Sequence, residues 1–279
     1  MYKVICLDLD GTLLDDKKII SKLNLKILDD LQGKGIEIVI ATGRGLTRIE
    51  QLTSSMKFPH IIIANNGAIA KLNFSDNILF YNSLDRNIFN EIVKVSKKFS
   101  MMPYLHIFDL NGEKSLVIPN EILKENHIKS VKDISEIAHY NEINDRDLDN
   151  ILSAVFIDKE NKILGLNKEI LSLKLDISTH ILTNTSENRL LSEYLNPLAQ
   201  KSIGINEYLK FKGYKWSEVV SFGDDNNDLD MIKSSGLGIC MKNGSSLLKL
   251  NSRYISQYTN NEDGVARELI KIFGGILNE

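Results

Sequence analysis

Two cysteines, Cys6 and Cys240, are all that this 279-residue chain holds, and each sits inside an apolar, strand-like run. Thiols so few and so placed exclude a disulfide scaffold and a cysteine-based zinc site. They fit small buried hydrophobes in a reducing compartment, and the expected location is the cytoplasm. Charge of one sign is lacking too: 34 basic residues against 37 acidic ones leave a net charge of -3. No global attraction to nucleic acid or an anionic membrane follows, so neither partner is expected. No apolar run reaches the ~20 residues that span a bilayer. A cationic segment with a cleavable apolar stretch is missing ahead of the first strand, where Asp8 interrupts the hydrophobic run at once. The five histidines, His60, His106, His127, His139 and His180, show no metal-ligand spacing. There is no Walker A sequence, and Gly236-Leu237-Gly238 lacks the third glycine of a dinucleotide fingerprint.

What is present is a set of β-prone runs alternating with helical spacing. Val4 to Leu7 is a short apolar run that leads into Asp8-Leu9-Asp10-Gly11-Thr12. Leu23, Ile27, Leu28 and Leu31 then recur at helical spacing until Gly33 and Gly35. Ile36 to Ala41 is a β-branched run ending in Thr42-Gly43-Arg44, and Leu46 to Met56 predicts a second helix. His60 to Ala64 predicts a third strand, closed by the turn Asn65-Asn66-Gly67, and Ala68 to Ala70 with Ile78 to Tyr81 predicts a hairpin. This βαβαβ order implies right-handed crossovers and an α/β fold with a doubly wound, Rossmann-like parallel sheet.

From about Asn82 to Glu187 the character changes to longer helices, scattered charge and isolated strand candidates. Strands are expected over Ser115 to Ile118, Ala154 to Asp158 and Thr179 to Leu182. Helices are expected over Asp85 to Phe99, Asp133 to Ala138, Asp145 to Ile151 and Asn161 to Leu173. The expectation is an inserted α+β domain at 82–187, with the sheet domain made of 1–81 and 188–279. The second part of that domain predicts a helix over Ile203 to Phe211 and a strand over Glu218 to Phe222. A helix at Leu229 to Ser234, a strand at Gly236 to Met241 and an amphipathic helix from Gly264 to Ile272 complete it.

Chemistry gathers at strand ends. Asp8 and Asp10, spaced i, i+2, would share the crevice at the carboxyl end of a parallel sheet. Two such carboxylates repel unless one holds its proton or a cation sits between them. A hard cation such as Mg2+ would leave Asp8 as a nucleophile and Asp10 free to exchange a proton. The plainer reading is an acidic turn capping a helix. A second acidic group, Gly223-Asp224-Asp225-Asn226-Asn227-Asp228, follows another strand, and its Asp224 and Asp228 can both face the crevice as oxygen ligands. Capping alone would not require so many acids.

Asp8-Leu9-Asp10-Gly11-Thr12, Thr42-Gly43-Arg44, Lys201 and Gly223 to Asp228, in that order, resemble the haloacid dehalogenase superfamily, in particular its Cof-type phosphatases with a C2-type cap. Asn66-Gly67-Ala68 and Asn261-Glu262-Asp263-Gly264-Val265-Ala266 fit the same pattern. The resemblance covers both ends of the core, and the cap matches in position and length. It implies that Asp8 is a nucleophile forming an aspartyl phosphate and Asp10 the acid and base. It implies that Thr42 and Gly43 meet the phosphoryl group, that Lys201 offsets its charge and that Asn227 contacts the phosphate side. Arg44 reaches substrate or caps the next helix. Mg2+ would be held by Asp8, the Asp10 carbonyl and Asp224, with Asp228 binding or orienting that sphere, while Asp225 and Asp230 are solvated. Ser202 stands where the family often has glycine, which leaves Lys210 and Lys212 as basic alternatives to Lys201.

The expected activity is therefore Mg2+-dependent hydrolysis of small phosphomonoesters, sugar phosphates or related metabolites, with the cap setting specificity. Two rivals are carried. One is a phosphotransferase such as a phosphohexomutase, separated by phosphate release without an acceptor. The other is a catalytically silent sugar-phosphate-binding regulator, which would bind metal and ligand with no turnover.

Overall fold

The computed structural model describes residues 1–108, 116–118, 137–139, 143–184 and 189–277. The chain divides into two units, Met1–Phe80 with Gln200–Glu279, and Tyr81–Ala199. The first unit opens with β1 (Val4–Leu7), α1 (Lys22–Gly33), β2 (Glu37–Ala41), α2 (Leu46–Leu52) and β3 (Ile61–Ala64). Ser21 caps α1 by accepting from the Asn24 N–H, and Ile27, Leu28 and Leu31 bury its apolar stripe. After β3 the chain turns through Asn65-Asn66-Gly67 into β4 (Ile69–Leu72) and then β5 (Ile78–Tyr81).

The inserted unit holds α3 (Arg86–Lys97), β6 (Tyr104–Ile107), β7 (Leu116–Ile118), β8 (Ile137–His139), α4 (Asp145–Leu148), β9 (Ile151–Lys159), α5 (Glu160–Ser172), β10 (Ser178–Asn184) and β11 (Arg189–Leu195). The sheet order is β10-β11-β9-β6-β7-β8. Phe89, Ile92 and Val95 of α3 and Ile163, Leu166 and Ile170 of α5 share one apolar cluster with Leu105, Ala154, Phe156 and Tyr194 of the strands. That makes an α+β unit with its own core.

The first unit resumes with α6 (Lys201–Lys212), β12 (Val219–Gly223), α7 (Leu229–Ser234), β13 (Leu237–Cys240), α8 (Ser246–Asn251), β14 (Tyr254–Ile255) and α9 (Gly264–Leu277). Its sheet runs β14-β13-β12-β1-β2-β3-β4-β5. Pairing is parallel from β14 to β3, and β4 turns back antiparallel to β3. Because β1 lies between β2 and β12, the chain reverses its winding there, and the loops after β1, β2 and β12 converge at one carboxyl edge.

Several elements differ from the sequence expectation. The second boundary falls after Ala199, not near 187, because β11 pairs with β9 from Arg189↔Lys159 to Leu195↔Ser153 and so belongs to the insertion. Asp145 to Ile151 is a four-residue helix, started by the Asn144 capping box and cut short by β9. Of the helix expected over Asp133 to Ala138, residues 133–136 lie outside the described residues, and Ile137 and Ala138 belong to a strand. His127 also lies outside them. Strands β6, β11 and β14 and helix α8 have no sequence expectation.

Candidate active site

Asp8 follows β1 directly and is 5 % exposed; its backbone N–H continues the ladder to Phe222 O at 3.1 Å. The ladder therefore fixes where the carboxylate stands. Lys201, the first residue of α6, is 2 % exposed, and its Nζ donates to Asp8 Oδ1 and to Asp228 Oδ1, each at 2.6 Å. Asp228 Oδ2 accepts the backbone N–H groups of Asp224 at 2.9 Å and Asp225 at 3.0 Å, which closes the turn after β12. Asp224 Oδ1 accepts from Thr12 Oγ1 at 3.1 Å. Gly11 runs at φ +77°, and a Cβ there would overlap the Asp224 carboxylate, so glycine lets these two loops touch.

Asp8, Asp224 and Asp228 each place a carboxylate oxygen within 4.8 Å of the others. Burial pushes Asp8 well above the ordinary carboxylate range, and Asp228 and Asp224 add to the rise while Lys201 opposes it. Burial and then Asp228 push Asp224 up to about 7. Burial disfavours the Lys201 ammonium, but Asp228 and Asp8 override it and hold the group protonated. Three acids and one lysine carry more negative charge than the lysine offsets. The surplus and the all-oxygen donor set fit a divalent hard cation.

Asp10 stands apart from that cluster. Its Oδ2 accepts from Arg44 Nε, its Oδ1 accepts from Arg44 Nη2 at 2.7 Å, and Lys18 Nζ reaches Oδ1 at 2.6 Å. Burial opposes ionisation here, yet Arg44 and Lys18 prevail and bring Asp10 to about 2. Arg44 thus does not cap α2, as one sequence reading had it: Gly45 is the N-cap and no side chain bonds there. The forked guanidinium matches a carboxylate, and Asp10 takes it.

Thr42 directly follows β2 and is 2 % exposed, and its Oγ1 accepts the Arg44 N–H at 3.3 Å. Asn65, Asn66 and Gly67 all have positive φ, and this turn brings Asn66 close to Gly43. Asn66 Oδ1 accepts from Asn227 Nδ2 at 3.0 Å, which ties the loop after β3 to the loop after β12. Asp8, Thr42, Gly43, Lys201, Asp224, Asn227 and Asp228 thus fall on one linked set of loops. Lys210 and Lys212 point to Glu207 and Glu37 instead, and Asp225 and Asp230 are exposed. Sequence reasoning missed Lys18 and Thr12 as partners of Asp10 and Asp224. Lys18 is one of two adjacent lysines, and it sits at a positive φ of 63° in the turn that leads back to Asp10.

The family model described as haloacid dehalogenase-like hydrolase matches residues 5–269. The chain belongs to this family. It is an enzyme, a phosphatase of that family. It is 30% identical over 269 residues to the 5-amino-6-(5-phospho-D-ribitylamino)uracil phosphatase YcsE of Bacillus subtilis, across 96% of this chain and 94% of that one. It is 26% identical over 285 residues to the YwtE enzyme of the same name and organism, across 98% and 99%. A crystal structure of a haloacid dehalogenase-like hydrolase from Bacteroides thetaiotaomicron superposes with a TM-score of 0.79 at 28% identity, covering 98% of this chain and 100% of that one. Among the described residues no helix is long and apolar enough to cross a membrane.

Proposed function

We propose that this haloacid dehalogenase-like hydrolase is a Mg2+-dependent phosphatase that cleaves small phosphomonoesters through an aspartyl phosphate on Asp8. The observation that carries the reading is the Lys201 ammonium, buried 2.6 Å from both Asp8 and Asp228, with Asp224 beside them. Asp8, Asp224 and the Asp10 carbonyl hold the ion, and Asp228, whose two oxygens are engaged, orients Lys201 and the turn. Mg2+ supplies positive charge against the phosphoryl oxygens and the acids around them. Asp8 attacks phosphorus in line, and Lys201 offsets the charge that builds on the transferring group. Thr42, Gly43 and Asn227 bind its remaining oxygens.

Asp10 serves both halves of the reaction. Its carboxylate form, favoured by Arg44 and Lys18, draws a proton from the water that hydrolyses the intermediate. A bound dianionic phosphate competes for Arg44, and weakening of that pair lets Asp10 carry the proton that the leaving alkoxide needs. The inserted unit selects the ester, and phosphorylated sugars and polyols are the class we favour. Support comes from the relatives named for a substrate with a phosphorylated ribityl chain. The two unpaired, buried thiols accord with a cytoplasmic enzyme.

The test is release of inorganic phosphate from a panel of sugar and polyol phosphates with Mg2+ and no acceptor. Turnover should vanish with EDTA and in Asp8→Asn, and Asp10→Asn should lose ~10²- to 10⁴-fold. Full activity of verified metal-free protein, or near-normal turnover in Asp8→Asn, would refute the reading.

A further inference from the structure

The loop after Asp10 is held by amides from the far end of the chain. Asn243 Nδ2 donates to Gly11 O at 2.7 Å, and Asn260 Nδ2 donates to Leu14 O at 3.0 Å and to Asp16 Oδ1 at 3.1 Å. Asn261 grips Asp16 twice: its Nδ2 donates to Oδ2 at 2.9 Å, and its Oδ1 accepts the Asp16 N–H at 3.0 Å. The Asn260 N–H donates to Asn243 Oδ1 at 3.1 Å, so the contacts form one brace. Backbone carbonyls at Gly11 and Leu14 are satisfied from more than 200 residues away.

The braced segment carries two of the three charged groups at the Asp10 site. Asp10 opens it, and its hairpin, closed by Asp15 N–H to Ile19 O at 3.0 Å and Lys18 N–H to Asp15 O at 2.9 Å, aims Lys18 at Asp10. The loop that bears Asn243 is itself fixed to the metal-site turn, because the Ser245 N–H donates to Asp224 O at 2.7 Å. The brace therefore sets where Asp10 stands relative to Asp224. A proton donor works only within hydrogen-bond reach, about 2.6–3.2 Å, and misplacement by about 1 Å can cost ~10²-fold.

We infer that Asn243, Asn260 and Asn261 are positioning residues for proton transfer by Asp10. This rests on the reading of Asp10 as the acid, and the test separates the two. The measurement is kcat/KM, which reports steps up to departure of the leaving group, for an alkyl phosphate and for acetyl phosphate. The alkoxide needs a proton as it leaves, whereas acetate does not.

Asn243→Ala and Asn261→Ala truncate exposed side chains, and Asn260→Ala a buried one. In variants that keep a single cooperative unfolding transition, kcat/KM for the alkyl phosphate should fall about 10- to 100-fold. For acetyl phosphate it should stay within about 3-fold. Asp10→Asn is the benchmark and should show the same selectivity with a larger loss. Equal losses on both substrates, or none in any asparagine variant, would overturn the inference while a selective Asp10→Asn left the acid reading standing. An Asp10→Asn variant that lost activity equally on both substrates would overturn the acid reading, and the inference with it.

Discussion

Lys201 stands in a buried site with carboxylates on two sides, so the free energy of each group depends on the others. Its removal leaves Asp8 and Asp228 facing each other without a cation, and an uncompensated buried charge costs about 3–5 kcal/mol. Lys201→Met should therefore lower the urea midpoint of unfolding in chelator by an amount corresponding to that range, besides abolishing turnover. Added Mg2+ should recover part of the loss, because a ligand of the native state stabilises it by mass action. A midpoint unchanged from the parent would mean that the ammonium is not buried between the acids. At this scale much of the candidate site is legible in the sequence. Spacing and strand ends marked Asp8, Asp10, Asp224 and Asp228, and motif order marked Lys201. Partner choice was not legible: whether Arg44 faces substrate, helix or Asp10 depends on the distance between two loops, which no local pattern encodes. The same holds for Asn243 and Asn260, whose partners lie far off in sequence, and for Lys18, which a turn brings back to the nearby Asp10.

Helix α9 shows how an element far from the chemistry is fastened. Glu268 on it is 1 % exposed; its Oε1 accepts from Ser256 Oγ at 2.8 Å, and its Oε2 from Tyr254 Oη and Lys271 Nζ, each at 3.0 Å. Tyr254 and Ser256 tie the edge strand β14 and the residue after it to the helix. Burial alone would raise the carboxyl pKa, but Ser256, Lys271 and Tyr254 outweigh it and hold the group below its usual value. A depressed pKa in the folded state gives stability that is present above the unfolded value and is lost as pH falls through the folded one. Glu268→Gln should thus destabilise at pH 7 by about 1–3 kcal/mol. The gap to the parent should narrow below about pH 4.5. Thermal melts at pH 7 and pH 4 check this, and a gap of constant size would show that the carboxylate is not the stabilised form. Elements with strong local signals, such as β1 to β3 and α1, were legible from apolar runs, the Ser21 cap and glycine stops. Strands β6, β11 and β14 were not, because a short strand is defined by the partner that completes its ladder. Arg189 to Leu195 has apolar content suited to either unit, and only its pairing with β9 and β10 assigns it to the insertion.

At the scale of the whole molecule, the proposed function assigns chemistry to one unit and selection to the other. Asp8, Thr42, Lys201, Asp224 and Asp228 all lie in Met1–Phe80 and Gln200–Glu279, and none lies in Tyr81–Ala199. The insertion has its own apolar cluster, so exchanging it need not disturb the packing under the site. Its two ends are also fastened to each other, since Asn196 Nδ2 donates to Ser83 O at 2.8 Å. A unit whose entry and exit meet can be replaced without stretching the chain on either side. The insertion ends at Ala199, two residues before Lys201 in the chain. Replacing 81–199 with the matching unit of a relative that prefers a different ester should transfer that preference, while Mg2+ dependence and the phosphorylated Asp8 persist. The check is a ranking of kcat/KM across the sugar and polyol phosphate panel for parent, donor and chimera, with acid-quench trapping of the phosphoenzyme in each. If the ranking of a folded chimera stayed with 1–80 and 200–279, selection would lie in core groups such as Arg44 and Asn66, and the role proposed for the insertion would be wrong.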